Sequence, residues 1–155
     1  MADATTPEFT GPLVVGYDGR DESEVALDLA LEEAGVRNVD VLVLVVAPLP
    51  IDAVNPLDPN EIGYSTLPEM TSDGPVTVKP IVEAARRKLE ASAVHGTVEW
   101  TFGSPASEIV RVADERDACA IVVGTHHHSA LGRLFGTDVA ASVVRHARRD
   151  VVVAR

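Results

Sequence analysis

The sequence predicts an α/β fold in which one parallel five-stranded sheet is covered by helices on both faces. Five short apolar runs alternate with four segments of helical periodicity, which is typical of consecutive βαβ units. The runs are almost continuously apolar instead of alternating, as expected of strands that are buried on both sides. Hydrophobic residues make up 46% of the chain and aromatic residues only 4%, so the core is expected to consist of Val, Ala and Leu.

The first half of the chain contributes two strands and one helix to this prediction. The apolar run Pro12–Gly16 predicts the first strand. A helix is expected to begin near Asp21, where acidic residues in the first turn suit the positive end of the helix dipole, and to end at Gly35. The apolar run Val39–Val46 predicts the second strand.

A proline-rich segment follows the second strand. Between Ala47 and Gly74 there are five prolines, and no period favours a regular element. Because such long structureless connections are uncommon in compact domains, residues 48–74 are predicted to be a mobile loop or lid. Residues 1–11 are expected to be a flexible N-terminus, and residues 1–155 to form a single domain.

The second half contributes three helices and three strands. Ser104 followed by Pro105 is typical of a helix start, with the serine as N-cap and the proline in the first turn. The predicted elements are a helix at Pro80–Ala93 that Gly96 ends, a strand at Thr97–Thr101, a helix from Pro105, a strand at Cys119–Val123, a helix at Asp138–Ala147 and a strand at Val151–Val153. With strand order 3-2-1-4-5 and right-handed crossovers, these elements form a Rossmann-like three-layer sandwich.

Charge and composition argue against several classes of protein. The formal net charge of −11 argues against a nucleic-acid-binding surface and against docking on anionic lipid. The single cysteine, Cys119, cannot form an intrachain disulfide and is expected to be a structural hydrophobic residue. Met1–Pro12 shows no signal-peptide pattern, and no apolar run approaches the ~20 residues of a membrane span, so a cytoplasmic protein is expected.

A ligand site is expected where the winding of such a sheet reverses, at the carboxyl ends of strands one and four. These ends carry Gly16-Tyr17-Asp18-Gly19 and Gly124-Thr125-His126. The loop Gly124–Thr137 is therefore predicted to carry the function. Its last residues, Gly136-Thr137, offer amides, a hydroxyl and the positive end of a helix dipole to an anion, although a simple turn and N-cap explain the same residues.

Several segments, in their order and spacing, resemble the universal stress protein family over nearly the whole chain. The loop 124–137, GTHHHSALGRLFGT, together with VVRHA at 143–147 and VVV at 151–153, resembles the C-terminal signature of that family. The first strand with its acidic turn, VVGYDG at 14–19, and GSPA at 103–106 resemble the family as well.

The resemblance implies a stress-response regulator that binds ATP or another adenine nucleotide between strands one and four. ATP-binding members carry Gly, two residues, Gly, nine residues, Gly, and then Ser or Thr. On that pattern Asp18 would lie beside the adenosine and Val45 would pack on the base. The nucleotide-binding residues expected in this way are Gly16, Tyr17, Asp18, Val45, Gly124, Thr125, His127, Arg133, Gly136 and Thr137, the last two and Gly124 lining the phosphates.

The sequence departs from the ATP-binding pattern at one glycine and in one spacing. His127 stands where the second glycine belongs, and eight residues instead of nine separate it from Gly136. Asp138 competes with phosphate for the amides at the helix start, and Arg133 offsets part of this negative charge. An alternative therefore stays open, namely a family member that binds no nucleotide and acts as a dimeric protein-interaction module.

Neither a metal site nor an enzyme is expected. At most two imidazoles of His126–His128 converge, whereas zinc needs three or four ligands, so no metal is expected apart from Mg²⁺ that accompanies a nucleotide. The chain lacks a nucleophile elbow, a P-loop lysine motif and a dinucleotide-binding glycine motif. At most, slow hydrolysis of bound ATP is expected.

The last strand is expected at an edge of the sheet, with Val151, Val152 and Val153 along it. An exposed apolar edge tends to pair with another chain. The resemblance implies that the family dimerises through this strand, so a homodimer is expected, with a regulatory partner that the sequence does not identify.

Overall fold

A computed structural model describes residues 10–48, 69–71, 74–125 and 138–155. The strands are β1 (Leu13–Gly16), β2 (Val41–Ala47), β3 (Met70–Thr71), β4 (Gly74–Pro75), β5 (Gly96–Phe102), β6 (Ala120–Gly124) and β7 (Asp150–Ala154). The helices are α1 (Asp21–Arg37), α2 (Lys79–Glu90), α3 (Pro105–Glu115) and α4 (Val139–His146).

The central sheet has the predicted topology. Its strand order is β5-β2-β1-β6-β7, and every neighbouring pair is parallel. Numbered along the chain without the short strands β3 and β4, this is the predicted order 3-2-1-4-5. β1 lies at the centre, where Leu13 is opposite Val41 on one side and Ala120 on the other. The sheet therefore reverses its winding between β1 and β6.

Two hydrophobic clusters form the core, one on each face of the sheet. Alternation along β1 divides its side chains, since Leu13 and Val15 belong to the cluster that packs under α1 and α2. Val14 belongs to the other cluster, together with residues of α3 and α4. Because both faces are covered, consecutive strand residues are all apolar, which explains the continuous runs in the sequence.

Two glycines that were expected to end helices have other roles. Helix α1 continues through Gly35 to Arg37, and Asn38 ends it in the left-handed conformation (φ 55°), with its N–H donating to the Ala34 carbonyl. Asparagine accepts this conformation more readily than most residues. Gly96 is the first residue of β5, where a Cβ would lie closer than 3.0 Å to the Val41 carbonyl oxygen. Close strand packing, not a helix stop, requires this glycine.

The segment predicted to lack regular elements ends in a short antiparallel hairpin. Met70 pairs with Pro75 and Thr71 with Gly74, so the prediction was wrong for these residues. Gly74 has a positive φ of 105°, and a Cβ on it would lie 2.8 Å from the Trp100 ring. Trp100 is half-buried and contacts Phe102 edge-on, with ring centroids 5.5 Å apart. Residues 49–68 of the predicted lid, and residues 1–9, lie outside the described residues.

Two local predictions are met in part. Ser104 and Pro105 do begin α3, but the serine side chain makes no capping hydrogen bond. Cys119 lies just before β6, where its half-buried Sγ is 3.6 Å from the Pro12 carbonyl oxygen and burial raises the pKa of the thiol. A raised pKa keeps the thiol protonated, which agrees with a structural role. In the described part of the chain, no helix is both long and apolar enough to cross a membrane.

Candidate functional site

A small cavity lies at the carboxyl ends of β1, β2 and β6, where the winding of the sheet reverses. Its volume is about 90 Å³. The first turns of α1, α3 and α4 close its sides. The lining residues are Gly16, Tyr17, Asp18, Glu22, Ser23, Leu44, Val46, Pro105, Ile109, Val123, Gly124 and Val139. Gly16, Tyr17, Asp18 and Gly124 are the sequence-predicted site residues that the structure brings together here.

Two glycines let neighbouring elements approach the floor of this cavity. A Cβ on Gly124 would lie closer than 3.0 Å to the backbone carbonyl of Glu22, in the first turn of α1. A Cβ on Gly16 would lie 2.6 Å from Ile109 Cδ1, in α3. Neither glycine is among those with a positive φ, so close approach of the helices explains both positions. The residues at Gly16 and Gly124 are therefore determined by packing, whatever ligand is bound.

The turn after β1 is held by hydrogen bonds around Asp18. Its Oδ1 accepts from the Arg20 backbone N–H at 3.0 Å, and its Oδ2 lies 3.6 Å from Arg20 Nε. The Ser23 hydroxyl accepts from the Asp18 N–H at 3.3 Å and donates to the Arg20 carbonyl at 2.9 Å. Gly19 supplies the positive φ of 78° that the turn requires. The Asp18 carboxylate is thus oriented at the cavity wall and partly neutralised by Arg20.

Tyr17 belongs to the cavity wall but its hydroxyl is used elsewhere. The ring is 3% exposed and packs in the core under α1 and α2. Its hydroxyl donates to Glu24, which also accepts from Lys88 of α2, and Lys88 pairs with Asp28 at 2.9 Å. Burial and the hydrogen bond to Glu24 raise the pKa of Tyr17. This polar cluster joins the end of β1 to both helices of that face.

The contacts within this cluster shift the pKa values of Glu24 and Lys88. Partial burial opposes ionisation of Glu24, but hydrogen bonds from Lys88 and Tyr17 outweigh it and hold the pKa of Glu24 below its usual range. Burial likewise opposes the charged form of Lys88, and its hydrogen bonds to Glu24 and Asp28 raise its pKa nevertheless. At neutral pH Glu24 is therefore ionised, and Lys88 and Tyr17 are protonated.

The structure places Val46, and not Val45, at the cavity. Val45 is 1% exposed and packs in the cluster under α1 and α2. Its neighbours Leu44 and Val46 face the other side of the sheet and line the cavity. Successive strand residues point to opposite faces, so a choice that is one residue off selects the wrong face.

The remaining predicted residues are not in the cavity wall that the structure describes. Thr125 extends the pairing with β7, since both its N–H and its hydroxyl donate to the Ala154 carbonyl, at 3.0 and 3.2 Å. His127, Arg133, Gly136 and Thr137 lie outside the described residues, as do the other histidines of 126–128. Within the described ranges, no group of three His, Cys, Asp or Glu side chains has the arrangement of a metal site.

Sequence reasoning missed the apolar wall of the cavity. Leu44 and Val46 come from β2, Pro105 and Ile109 from the first turns of α3, and Val139 begins α4. In the sequence each of them looks like an ordinary core residue, because an apolar side chain that lines a cavity cannot be told from one that packs in the core. Pro105 carried the one local signal, since it marked the start of a helix whose N-terminus lies at the carboxyl edge of a parallel sheet.

In the first turn of α4, a backbone N–H group is hydrogen-bonded to a side chain of the protein. Asp138 is the N-cap, and its Oδ1 accepts from the Ala141 N–H at 3.0 Å. Val139, the next residue, lines the cavity. The Asp138 carboxylate therefore already accepts a hydrogen bond from one of the amides at this helix end.

A second depression lies at the opposite, amino end of the sheet. It is wider, with a volume of about 670 Å³, and we call it the amino-end groove. It is lined by Thr10, Gly11, Pro12, Asn38, Val39, Asp40, Val41, Leu42, His95, Gly96, Thr97 and Arg116. We assign the functional site to the smaller cavity because ligands of parallel sheets bind at the carboxyl ends of strands.

Comparison with protein families decides which family this fold and site represent. Residues 10–155 match the model of the universal stress protein family. The chain belongs to the universal stress protein family. The match covers the whole described sheet, so the resemblance of its motifs and the predicted fold are both confirmed.

Individual universal stress proteins are similar over almost their full length. A universal stress protein of Mycobacterium tuberculosis is 31% identical over 142 residues, which cover 91% of this chain and 93% of that protein. The structure of a universal stress protein from Archaeoglobus fulgidus in complex with dAMP is 27% identical, with a TM-score of 0.64 and coverage of 95% and 99%. A universal stress protein solved in complex with cAMP is 25% identical, with a TM-score of 0.67 and coverage of 94% and 97%.

Proposed function

We propose that this universal stress protein binds an adenine nucleotide at the cavity between β1 and β6 and acts as a nucleotide-responsive regulator of a stress response. The observation that carries the proposal is the cavity itself, at the switch point of the sheet, with the oriented Asp18 carboxylate on one wall and apolar side chains on the others. The proposed role is binding in the cytoplasm, with at most slow hydrolysis of the nucleotide.

Two relatives support the choice of ligand class. One universal stress protein that shares this fold was solved with dAMP and another with cAMP. Both ligands carry adenine and a single phosphate group. Adenine and its attached sugar, ribose in cAMP and deoxyribose in dAMP, are the parts that we carry over to the cavity of this protein.

The lining residues divide into an apolar and a polar wall that suit the two halves of an adenosine. Leu44, Val46 and Ile109 form an apolar surface against which the flat face of adenine would pack. Asp18 would accept a hydrogen bond from a ribose hydroxyl or the exocyclic amine. The cavity is smaller than the roughly 300–1,000 Å³ of sites that enclose a whole ligand, so it would hold part of the base while the phosphate lies outside it.

The deciding experiment is to look for nucleotide in the purified protein and to measure binding directly. We expect protein purified without added nucleotide to release adenine-absorbing material on denaturation, and calorimetric titration of ligand-free protein to detect saturable binding. The proposal would be refuted if the protein released no adenine and if adenine compounds produced neither saturable binding nor a shift in melting temperature. The alternative, a dimeric interaction module that binds no nucleotide, would then be favoured.

We also propose that the protein is a homodimer joined through β7. β7 is an edge strand with the residues Val151, Val152 and Val153, and Val152 is 37% exposed. An apolar edge of this kind is stabilised when a second strand pairs with it. Light scattering should give twice the mass of one chain at micromolar concentration, and Val152→Lys should give the mass of one chain. A monomeric mass for the wild-type protein would refute the proposed dimer and would leave the proposal of nucleotide binding unaffected.

A further inference from the structure

Helix α2 is fastened to α1 by the ammonium group of Lys88. Its Nζ donates to the Glu24 carboxylate, to the Glu24 backbone carbonyl at 3.3 Å and to the Asp28 carboxylate at 2.9 Å. An ammonium group has three N–H donors, and α1 offers one acceptor for each of them. Because Lys88 reaches three oxygen atoms within one turn of α1, it fixes the position of one helix against the other at this point.

The Glu24 carboxylate continues these contacts to the cavity. Its Oε2 accepts from Lys88, whereas its Oε1 accepts from the hydroxyl of Tyr17. The Tyr17 ring is buried and belongs to the cavity wall, and the next residue in the chain is Asp18. One carboxylate thus joins an ammonium group of α2 to the end of β1, from which part of the cavity wall is built.

Helix α2 also meets the turn after β1 at a second point. Gly19 follows Asp18 in that turn, and a Cβ on Gly19 would lie 3.6 Å from the Ile81 side chain of α2. This is an ordinary van der Waals distance, and Ile81 itself is partly buried against the core cluster of that face. A displacement of α2 would therefore act on the turn by two routes, one apolar and one polar.

The contacts of Lys88 differ from those of Lys79, the other lysine of α2. Lys79 pairs with Glu83 of its own helix at 3.9 Å, and both side chains are 43% exposed. Lys88 and Glu24 are 26% and 38% exposed and belong to different helices. Partial burial reduces screening by solvent, and hydrogen bonds between charged groups are stronger than neutral ones. Lys88 therefore holds two elements together, whereas the Lys79 pair stays within α2.

We propose that Lys88, through Glu24 and Tyr17, positions the β1 end of the cavity, so that ligand binding and the contact between α1 and α2 stabilise each other. This inference rests on the proposed function, because the ligand is the adenine nucleotide proposed for the cavity. Lys88 is not one of the lining residues, so it acts as a positioning residue. The two helices are then the route by which occupancy of the cavity reaches the outer face of the molecule.

The first test measures the affinity of ligand-free protein for AMP by calorimetric titration, well below the melting temperature. Tyr17→Phe removes one hydroxyl group, and Lys88→Met removes the charge but keeps a long side chain. Each is expected to weaken AMP binding about fivefold, and the double variant by about the same factor, because both break one series of contacts. Lys79→Met is the matched control on the same helix and should leave the affinity within about twofold.

A second measurement checks the same coupling from the side of stability. The coupling free energy between Tyr17 and Lys88 follows from urea unfolding of the wild type, both single variants and the double variant. Saturating AMP should strengthen this coupling by the equivalent of the same factor of about five, because linkage between two sites is reciprocal. Lys88 contacts that serve stability alone would give a coupling that AMP leaves unchanged.

The outcomes distinguish this inference from the proposed function. Wild-type AMP affinity in Lys88→Met and Tyr17→Phe would overturn the positioning role and leave nucleotide binding standing. An equal loss in Lys79→Met, or a double variant that loses the product of the two single factors, would overturn it as well. Tyr17→Phe alone decides the matter if Lys88→Met does not fold. A wild-type protein that binds no AMP would overturn the proposed function, and the positioning role with it.

Discussion

The two ends of the sheet differ in volume and in chemistry, and the candidate site lies at the end with the smaller depression. The amino-end groove measures about 670 Å³ and is lined largely by exposed polar residues such as Asp40, His95 and Arg116. The carboxyl-end cavity measures about 90 Å³ but combines an apolar wall with one oriented carboxylate. The candidate site is therefore the depression at which helix starts and strand ends converge, and not the larger one.

The two ends also differ in how they are held. At the carboxyl end the partly buried cluster of Tyr17, Glu24 and Lys88 joins β1 to α1 and α2. At the amino end Arg116 pairs with Glu99 at 2.6 Å, but the two side chains are 50% and 34% exposed. An exposed ion pair contributes little to stability. We therefore expect the described carboxyl-end contacts to contribute more to stability than the amino-end ion pair, and four substitutions test this difference between the ends.

The largest effect is expected from Gly124→Ala. The added Cβ would meet the Glu22 backbone carbonyl, which cannot move without shifting α1, so we expect the free energy of unfolding to fall by about 3 kcal/mol. Gly35→Ala is the control, because its Cβ would lie 3.8 Å from Val94 in open helix surface and should be neutral or stabilising. Equal unfolding midpoints for the two variants in urea would contradict the close approach of α1 to β6.

Val46→Asn should weaken adenine-nucleotide binding by about tenfold, since it places an amide in the apolar wall where the base would pack. His95→Ala, in the amino-end groove, should leave the dissociation constant within about twofold. Both dissociation constants would be measured by calorimetric titration. A larger loss of affinity in the groove variant than in the cavity variant would contradict binding at the carboxyl-end cavity.

Lys88→Met should cost about 1 kcal/mol of stability near neutral pH, a value reduced from that of a buried charged hydrogen bond because the pair is partly exposed. Glu24 has a lowered pKa in the folded state, so its contribution is present above its unfolded pKa and is lost as pH falls through the folded value. The cost of Lys88→Met in urea titrations should therefore shrink as the pH falls below the usual pKa range of a glutamate side chain. A cost that grows on acidification would show that the hydrogen bond to Glu24 is not its origin.

The smallest effect is expected from Arg116→Gln, which removes the exposed ion pair with Glu99. The unfolding free energy should change by less than about 0.5 kcal/mol. The same urea titration would compare this change in unfolding free energy with that of Lys88→Met and so measure the difference between the two ends. If Arg116→Gln were the more destabilising of the two, the amino end would be the more rigid one.

Most of the fold was predictable because its signals are local. Apolar runs of strand length and helical stripes correctly predict the five strands of the main sheet and the four helices among the described residues. Helix ends were less predictable, since Gly35 looks like a stop and Asn38 provides it. The hairpin at Met70–Pro75 was missed because its strands have two residues each, too few to show a period.

The position of the cavity was predictable, but most of its lining side chains were not. Strand order alone brought Asp18 and Gly124 together, and both line the cavity. The family resemblance implied Val45, and β2 is apolar on both faces, so the sequence offers no alternation that would show that Val46 lines the cavity instead. Ile109 and Val139 were missed because they come from helices that the sequence does not orient.

The sequence by itself determined the element order, the parallel sheet and the family, because each follows from local pattern and topology. The tertiary structure decided which side chains line the cavity at the carboxyl end of the sheet and why two glycines stand there. Gly124 allows the Glu22 backbone carbonyl of α1 to approach β6, and the Asp138 carboxylate accepts a hydrogen bond from an amide of α4. Such facts depend on distances between elements far apart in the chain, and no local pattern records them.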